Sequence, residues 1–144
     1  MDGIMVELIL WTDNAAVPIK DLSRTVGIFP VKCESIGDIK HYGEHKNLER
    51  IVETSSLLYS TGYIDTADVE VAVNKMADVL KPTLLEIVDI VDKYDLTAKF
   101  CIVIALSENP IIVLPAEFVQ IMAKLHAELE FDAYFDCTWA NAED

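Results

Sequence analysis

The chain has 144 residues, and its 25 acidic and 11 basic side chains give a formal charge of −14 at pH 7. This length predicts a single domain, and a hydrophobic fraction of 52% excludes intrinsic disorder. The negative charge argues against nucleic acid as a partner, and no apolar run reaches the roughly 18–20 residues of a membrane helix.

The first residues, Met1-Asp2-Gly3, carry no basic region of the kind that opens a signal peptide. The three cysteines, Cys33, Cys101 and Cys137, are odd in number and form no C-x-x-C pair. Both features predict free thiols in a reducing cytoplasm.

The amino-terminal part is predicted to start with a strand, a helix and a strand. Val6–Trp11 is the first strand, and a proline then opens a short helix whose apolar face consists of Ile19, Leu22 and Val26. Val31–Ile36 is the second strand. Residues 37–49 form a polar connection, and residues 50–59 return to a β-rich composition.

The clearest helical pattern lies in the middle of the chain. Its apolar residues recur with a helical period at Val69, Val73, Met76 and Leu80. Pro82 interrupts the pattern, because proline lacks an N–H and clashes with the preceding turn. We therefore predict two helices, over residues 68–80 and 82–94.

The carboxyl-terminal part is predicted to contain three strands and one helix. Phe100–Leu106 is apolar on both faces, as is typical of an interior strand. Ile111–Leu114 is a short partner strand, a helix follows Pro115, and an alternating strand runs over residues 129–136 before a frayed tail after about residue 137.

These elements predict a single α+β domain in the order β-α-β-β-α-α-β-β-α-β. The expected architecture is a two-layer sandwich, with a mostly antiparallel sheet of five or six strands and helices on one face.

One segment matches a catalytic motif. His41-Tyr42-Gly43-Glu44-His45 fits H-x-x-E-H, the inverted zinc-peptidase pattern, which needs both imidazoles on one helical face. A central glycine and flanks without apolar periodicity indicate a solvated loop instead. We therefore assign no catalytic residue, metal or cofactor. The alternative is a small metal- or ligand-binding enzyme that uses His41, Glu44 and His45 with Ser60 or Tyr63.

The acidic residues are unevenly distributed, since residues 51–144 hold 17 acidic and 5 basic side chains. Two acidic surfaces are predicted, one on the second helical piece and one on the last strand. An aromatic side chain among carboxylates is typical of a protein-binding surface, where the charges steer the partner. The candidate contact residues are Asp89, Asp92, Glu130, Asp132, Tyr134 and Asp136.

Three short motifs carry a family resemblance: Gly37-Asp38, Tyr59-Ser60-Thr61-Gly62-Tyr63 before a long helix, and Leu80-Lys81-Pro82. With them the chain resembles the bacterial family catalogued as domain of unknown function 4279. The resemblance implies a small cytoplasmic domain, and some relatives look like immunity proteins encoded beside secreted toxins.

We therefore expect an immunity protein that binds a basic toxin domain, a nuclease, and covers its active site with an acidic surface. Acidity suits such an inhibitor because it accelerates association with a cationic target. A third interpretation is a structural homodimer, because a strand that is apolar on both faces needs a cover on the second side of its sheet.

Overall fold

The computed structural model describes residues 2–135. In chain order the elements are β1 (Gly3–Thr12), α1 (Ile19–Thr25), β2 (Lys32–Glu34), β3 (Ile39–Tyr42), β4 (Leu48–Ile51), β5 (Ser55–Ser60), α2 (Val69–Leu80), α3 (Leu84–Tyr94), β6 (Thr97–Leu106), α4 (Ala116–Lys124) and β7 (Glu128–Phe135). A 3₁₀ turn at Lys81–Thr83 joins α2 to α3.

Within residues 2–135, five strands form the main sheet, in the spatial order β2-β5-β1-β6-β7. Only β6 and β7 run parallel, and the other neighbours are antiparallel. The strands β3 and β4 form a separate hairpin. The predicted α+β class and mostly antiparallel sheet are thus confirmed.

The hydrophobic core lies between one face of this sheet and the helices. Alternate residues of β1 point toward the helices and are fully buried: Ile4, Val6, Leu8 and Leu10. Phe100 of β6 meets Phe118 of α4 edge to face, with ring centroids 5.0 Å apart. Burial of each such large side chain contributes about 1.5–3 kcal/mol.

The helices follow the predicted pattern closely. α2 begins after Asp68, whose carboxylate accepts a hydrogen bond of 3.0 Å from the backbone N–H of Glu70. Pro82 lies in the 3₁₀ turn, where the missing N–H interrupts the α-helical ladder between α2 and α3.

Three predicted elements are wrong. The single strand predicted over residues 50–59 is divided, because β4 ends at Ile51 and β5 begins at Ser55. Residues 37–49, predicted as a connection, contain β3 and lead into β4, because Gly43 and Lys46 adopt the positive φ angles of a tight turn. The predicted strand Ile111–Leu114 is an extended segment with one isolated bridge, from Ile111 to Asp68. Prolines on both sides of it remove backbone donors that a ladder needs.

No helix in residues 2–135 is long and apolar enough to cross a membrane. The predicted contact residue Asp136 and the predicted frayed tail lie outside the described residues.

Candidate functional site

The sheet has a second face, opposite the helices, which we call the open face. Strand alternation assigns its residues, because neighbours across a ladder point to the same side. It consists of Lys32 and Glu34 of β2, Ser56, Leu58 and Ser60 of β5, Met5, Glu7, Ile9 and Trp11 of β1, Lys99, Cys101, Val103 and Ala105 of β6, and Glu128, Glu130, Asp132 and Tyr134 of β7.

The centre of the open face is largely apolar. Ile9 and Trp11 of β1 are half-buried, as is Leu58 of β5. Cys101 and Val103 on β6 are only 7% and 5% exposed, because side chains on the neighbouring strands flank them. The open face thus combines flat apolar area with charged margins, as protein-binding surfaces do.

Glu7 is the one charged residue that β1 contributes to this face. Its ladder neighbours are Ser60 on one side and Cys101 on the other. Within residues 2–135 its carboxylate has neither a hydrogen bond nor an ion pair. Burial raises the pKa of Glu7, and the nearby negative charge of Asp132 raises that pKa further. A cation placed against Glu7 would relieve both effects.

The outward carboxylates of β7 extend this negative region. Glu130 accepts a hydrogen bond of 2.9 Å from Lys99, which raises the pKa of that lysine. The Tyr134 hydroxyl donates to Asp132 over 2.9 Å, and Tyr134 is 57% exposed. Three of the predicted contact residues, Glu130, Asp132 and Tyr134, therefore share one surface.

The other predicted contact residues lie elsewhere. Asp89 and Asp92 are exposed on α3, whose buried residues Ile87 and Val91 face the core. Both aspartates therefore point away from the core on the helical layer, whereas the open face lies on the far side of the sheet. A single flat partner cannot contact both surfaces, so the structure does not bring these two sets together.

The H-x-x-E-H motif forms part of the hairpin. His41 belongs to β3, and its Nδ1 atom lies 3.7 Å from the Glu49 carboxylate across the ladder. Glu44 and His45 are exposed in the turn. The imidazoles therefore lack the shared helical face that the zinc-peptidase pattern requires. Across the described part of the chain, no group of three or more histidine, cysteine, aspartate and glutamate side chains could hold a metal.

The Ser60–Tyr63 segment has a structural role. Thr61 binds β1 twice, because its N–H donates to the Val6 carbonyl and its hydroxyl accepts from the Val6 N–H, each at 3.0 Å. Ser60 accepts from the N–H of Gly62, which has a φ of 69°. These bonds fix the end of β5 beside the centre of β1, where Glu7 follows Val6.

A cavity of about 380 Å³ lies beside β4. Its lining consists of Glu34, Arg50, Ile51, Val52, Glu53 and Thr54. The Glu34 carboxylate is bound by Lys32 and Lys40, and these two lysines hold its pKa below the ordinary value against the opposing effect of burial. The Glu34 carboxylate is therefore neutralised within the fold.

The fold and this surface define a small acidic α+β domain with one exposed sheet face. The chain belongs to the family described as Domain of unknown function (DUF4279), whose family model matches residues 2–136. No curated protein and no solved structure matches the chain.

Proposed function

We propose that this protein is an immunity protein that binds and neutralises a cationic bacterial toxin domain through the open face. The observation that carries the proposal is Glu7, a half-buried carboxylate at the largely apolar centre of the open face that has no ion-pair partner among residues 2–135. An unpaired carboxylate in such a place costs stability, and an arginine or lysine from a partner would offset that cost.

The charge of the surface supports a basic partner. The β7 side of the open face carries Glu7, Glu128, Glu130 and Asp132, with Lys99 as its nearby cation. The formal charge of the whole chain, which includes these residues, is −14. Such a field accelerates the association of a cationic protein, and it weakens as salt screens the charges.

The dimensions of the open face also suit a protein partner. Five strands at about 4.8 Å spacing span roughly 20 Å, and the ten residues of β1 span roughly 34 Å. The resulting area, of the order of 600 Å², approaches the ~800 Å² that a standard interface buries on each partner.

The proposed mechanism is occlusion. The carboxylates occupy the basic groove with which a nuclease toxin binds phosphates, while the apolar centre excludes water from the contact. Neutralisation takes place in the cytoplasm of the toxin-producing or target cell. Cys33 and Cys101 are both free thiols, which suits that reducing compartment.

The test is a search for a toxin gene immediately upstream of this one, followed by co-expression of this protein with the encoded toxin domain, scored by growth. Wild-type protein should restore growth, and the variant Glu7→Gln/Glu130→Gln/Asp132→Asn should fail, with an association rate at least about tenfold lower at low salt. The control variant Asp89→Asn/Asp92→Asn removes carboxylates from α3 and should restore growth as wild type does.

Two results would overturn the proposal. If no toxin gene lies beside this one, or if wild-type protein fails to restore growth, the immunity function is wrong. If the α3 control fails to restore growth and the triple variant restores it, the toxin binds the helical layer and the open face is the wrong surface.

A further inference from the structure

The strand β7 leaves one edge of the sheet open. It has eight residues, Glu128–Phe135, without a proline, and it pairs with β6 along one side. In residues 2–135 no strand pairs with its other side. Among the described residues, alternate backbone N–H and C=O groups along that side therefore have no strand partner.

The opposite edge of the sheet is much less accessible to a new strand. β2 has only three residues, and Pro30 precedes it closely. Short edge strands and prolines are the usual means by which proteins block pairing with other chains. β7 has neither feature, so the two edges differ in what they can accept.

The charges of β7 disfavour a second copy of this chain as the added strand. Glu128, Glu130 and Asp132 all lie on the open face. A twofold axis normal to the sheet would pair β7 with its own copy and set carboxylates opposite carboxylates, which is destabilising. The same row of charges is complementary to lysine or arginine at every second position of an incoming strand.

The other side of β7 is apolar. Leu129 is half-buried, and Phe131 is 43% exposed at the edge. An added strand would cover Phe131 with its own apolar side chains. The edge therefore fits a segment in which basic residues alternate with apolar ones.

We propose that β7 accepts an extended basic segment of the partner as a sixth strand of the sheet. This inference rests on the proposed function for the identity of the partner, and it adds the mode of docking. The partner's backbone bonds to β7, its basic side chains meet the β7 carboxylates, and its apolar side chains cover Phe131.

The probe is a ten-residue peptide that alternates lysine and valine, titrated into the full-length protein with amide exchange followed by NMR. Every second amide of β7 should become protected at saturation. A matched peptide that is N-methylated at four consecutive residues keeps every side chain and loses about two backbone hydrogen bonds, so it should bind about 30-fold more weakly. Equal binding of the two peptides, without new protection in β7, would overturn strand addition.

Two variants test the role of the charges. Asp132→Lys should weaken binding of the lysine–valine peptide at least about tenfold, whereas Asp92→Lys on α3 should leave binding of the peptide unchanged. Equal loss in both variants would mean that only the overall charge matters. If the peptide adds to β7 but the toxin is not neutralised, the proposed function fails alone. If the toxin is neutralised without new protection of β7 in the complex, strand addition fails alone.

Discussion

Glu7→Gln should stabilise the protein while it weakens binding of the partner. The substitution keeps the size of the side chain and removes a charge that the fold disfavours, because burial and Asp132 both raise the pKa of Glu7. Glu7 retains partial contact with water, which screens its charge. We therefore expect Glu7→Gln to raise the free energy of unfolding by only about 0.5–1 kcal/mol. For a domain of this size the melting temperature should rise by about 1–4 °C.

The effect has a defined pH dependence. A carboxyl group whose pKa is higher in the folded state stabilises the fold most at low pH, and this contribution is lost as pH rises through the folded pKa. Protonated Glu7 resembles glutamine, so the advantage of Glu7→Gln should vanish at pH 4 and be complete at pH 7.

The assay is urea unfolding of wild type and Glu7→Gln at both pH values, with binding of the toxin domain measured in parallel. Glu44→Gln, in the exposed turn of the hairpin, serves as the matched control and should change neither property. The electrostatic reasoning would be refuted if Glu7→Gln were less stable than wild type at pH 7. It would also be refuted if the substitution raised the free energy of unfolding equally at both pH values.

Two further substitutions test the core and a helix cap. The Tyr59 hydroxyl is buried without a hydrogen-bond partner among residues 2–135, so Tyr59→Phe should raise the free energy of unfolding at pH 7 by about 1 kcal/mol in urea titrations. Burial, with a smaller effect of Cys33, raises the pKa of Tyr59 to about 12, so wild type should lose stability between about pH 10 and 12 and Tyr59→Phe should lack that loss. Asp68→Ala removes the bond to the Glu70 N–H and should lower the free energy of unfolding by about 1 kcal/mol, whereas an unchanged value would show that the cap is not needed.

The sequence predicts elements best where apolar residues repeat over several turns. α2 and α3 begin and end within two residues of their predicted bounds, because each has an apolar face and Pro82 separates them. β1 and β6 are also predicted, since both are long runs of strand-forming residues, but each begins three residues before its predicted start. These four elements hold most of the buried core.

The hairpin of β3 and β4 and the wrongly predicted strand Ile111–Leu114 show where sequence patterns fail to predict the structure. Every residue of β4 is exposed, so no alternation of buried and exposed side chains marks it in the sequence. Residues 111–113 are apolar yet exposed, at 59%, 54% and 47%, because the segment lies outside the main sheet. Apolar composition alone therefore does not distinguish a strand from an exposed extended segment.

The candidate site was only partly predictable for a similar reason. Alternation along β7 predicted that Glu130, Asp132 and Tyr134 share a face, but the contribution of Glu7 depends on β1 pairing with β6, which the sequence does not state. The available signal was local. Glu7 is the single charge among the outward positions Met5, Ile9 and Trp11, and a lone charge in an otherwise apolar strand indicates a specific role.

The position of Glu7 also indicates which partner the open face favours, a basic protein or a second copy of the chain. β1 is the third of five strands, and Glu7 lies among the middle residues of its outward row. A twofold axis through the centre of the open face would bring Glu7 close to its own copy and bury two carboxylates together, which is costly unless one is protonated. A partner that supplies an arginine or lysine instead offsets one of the two negative charges of Glu7 and Asp132 and attracts both carboxylates. The electrostatics of the open face therefore favour a cationic partner over self-association at neutral pH.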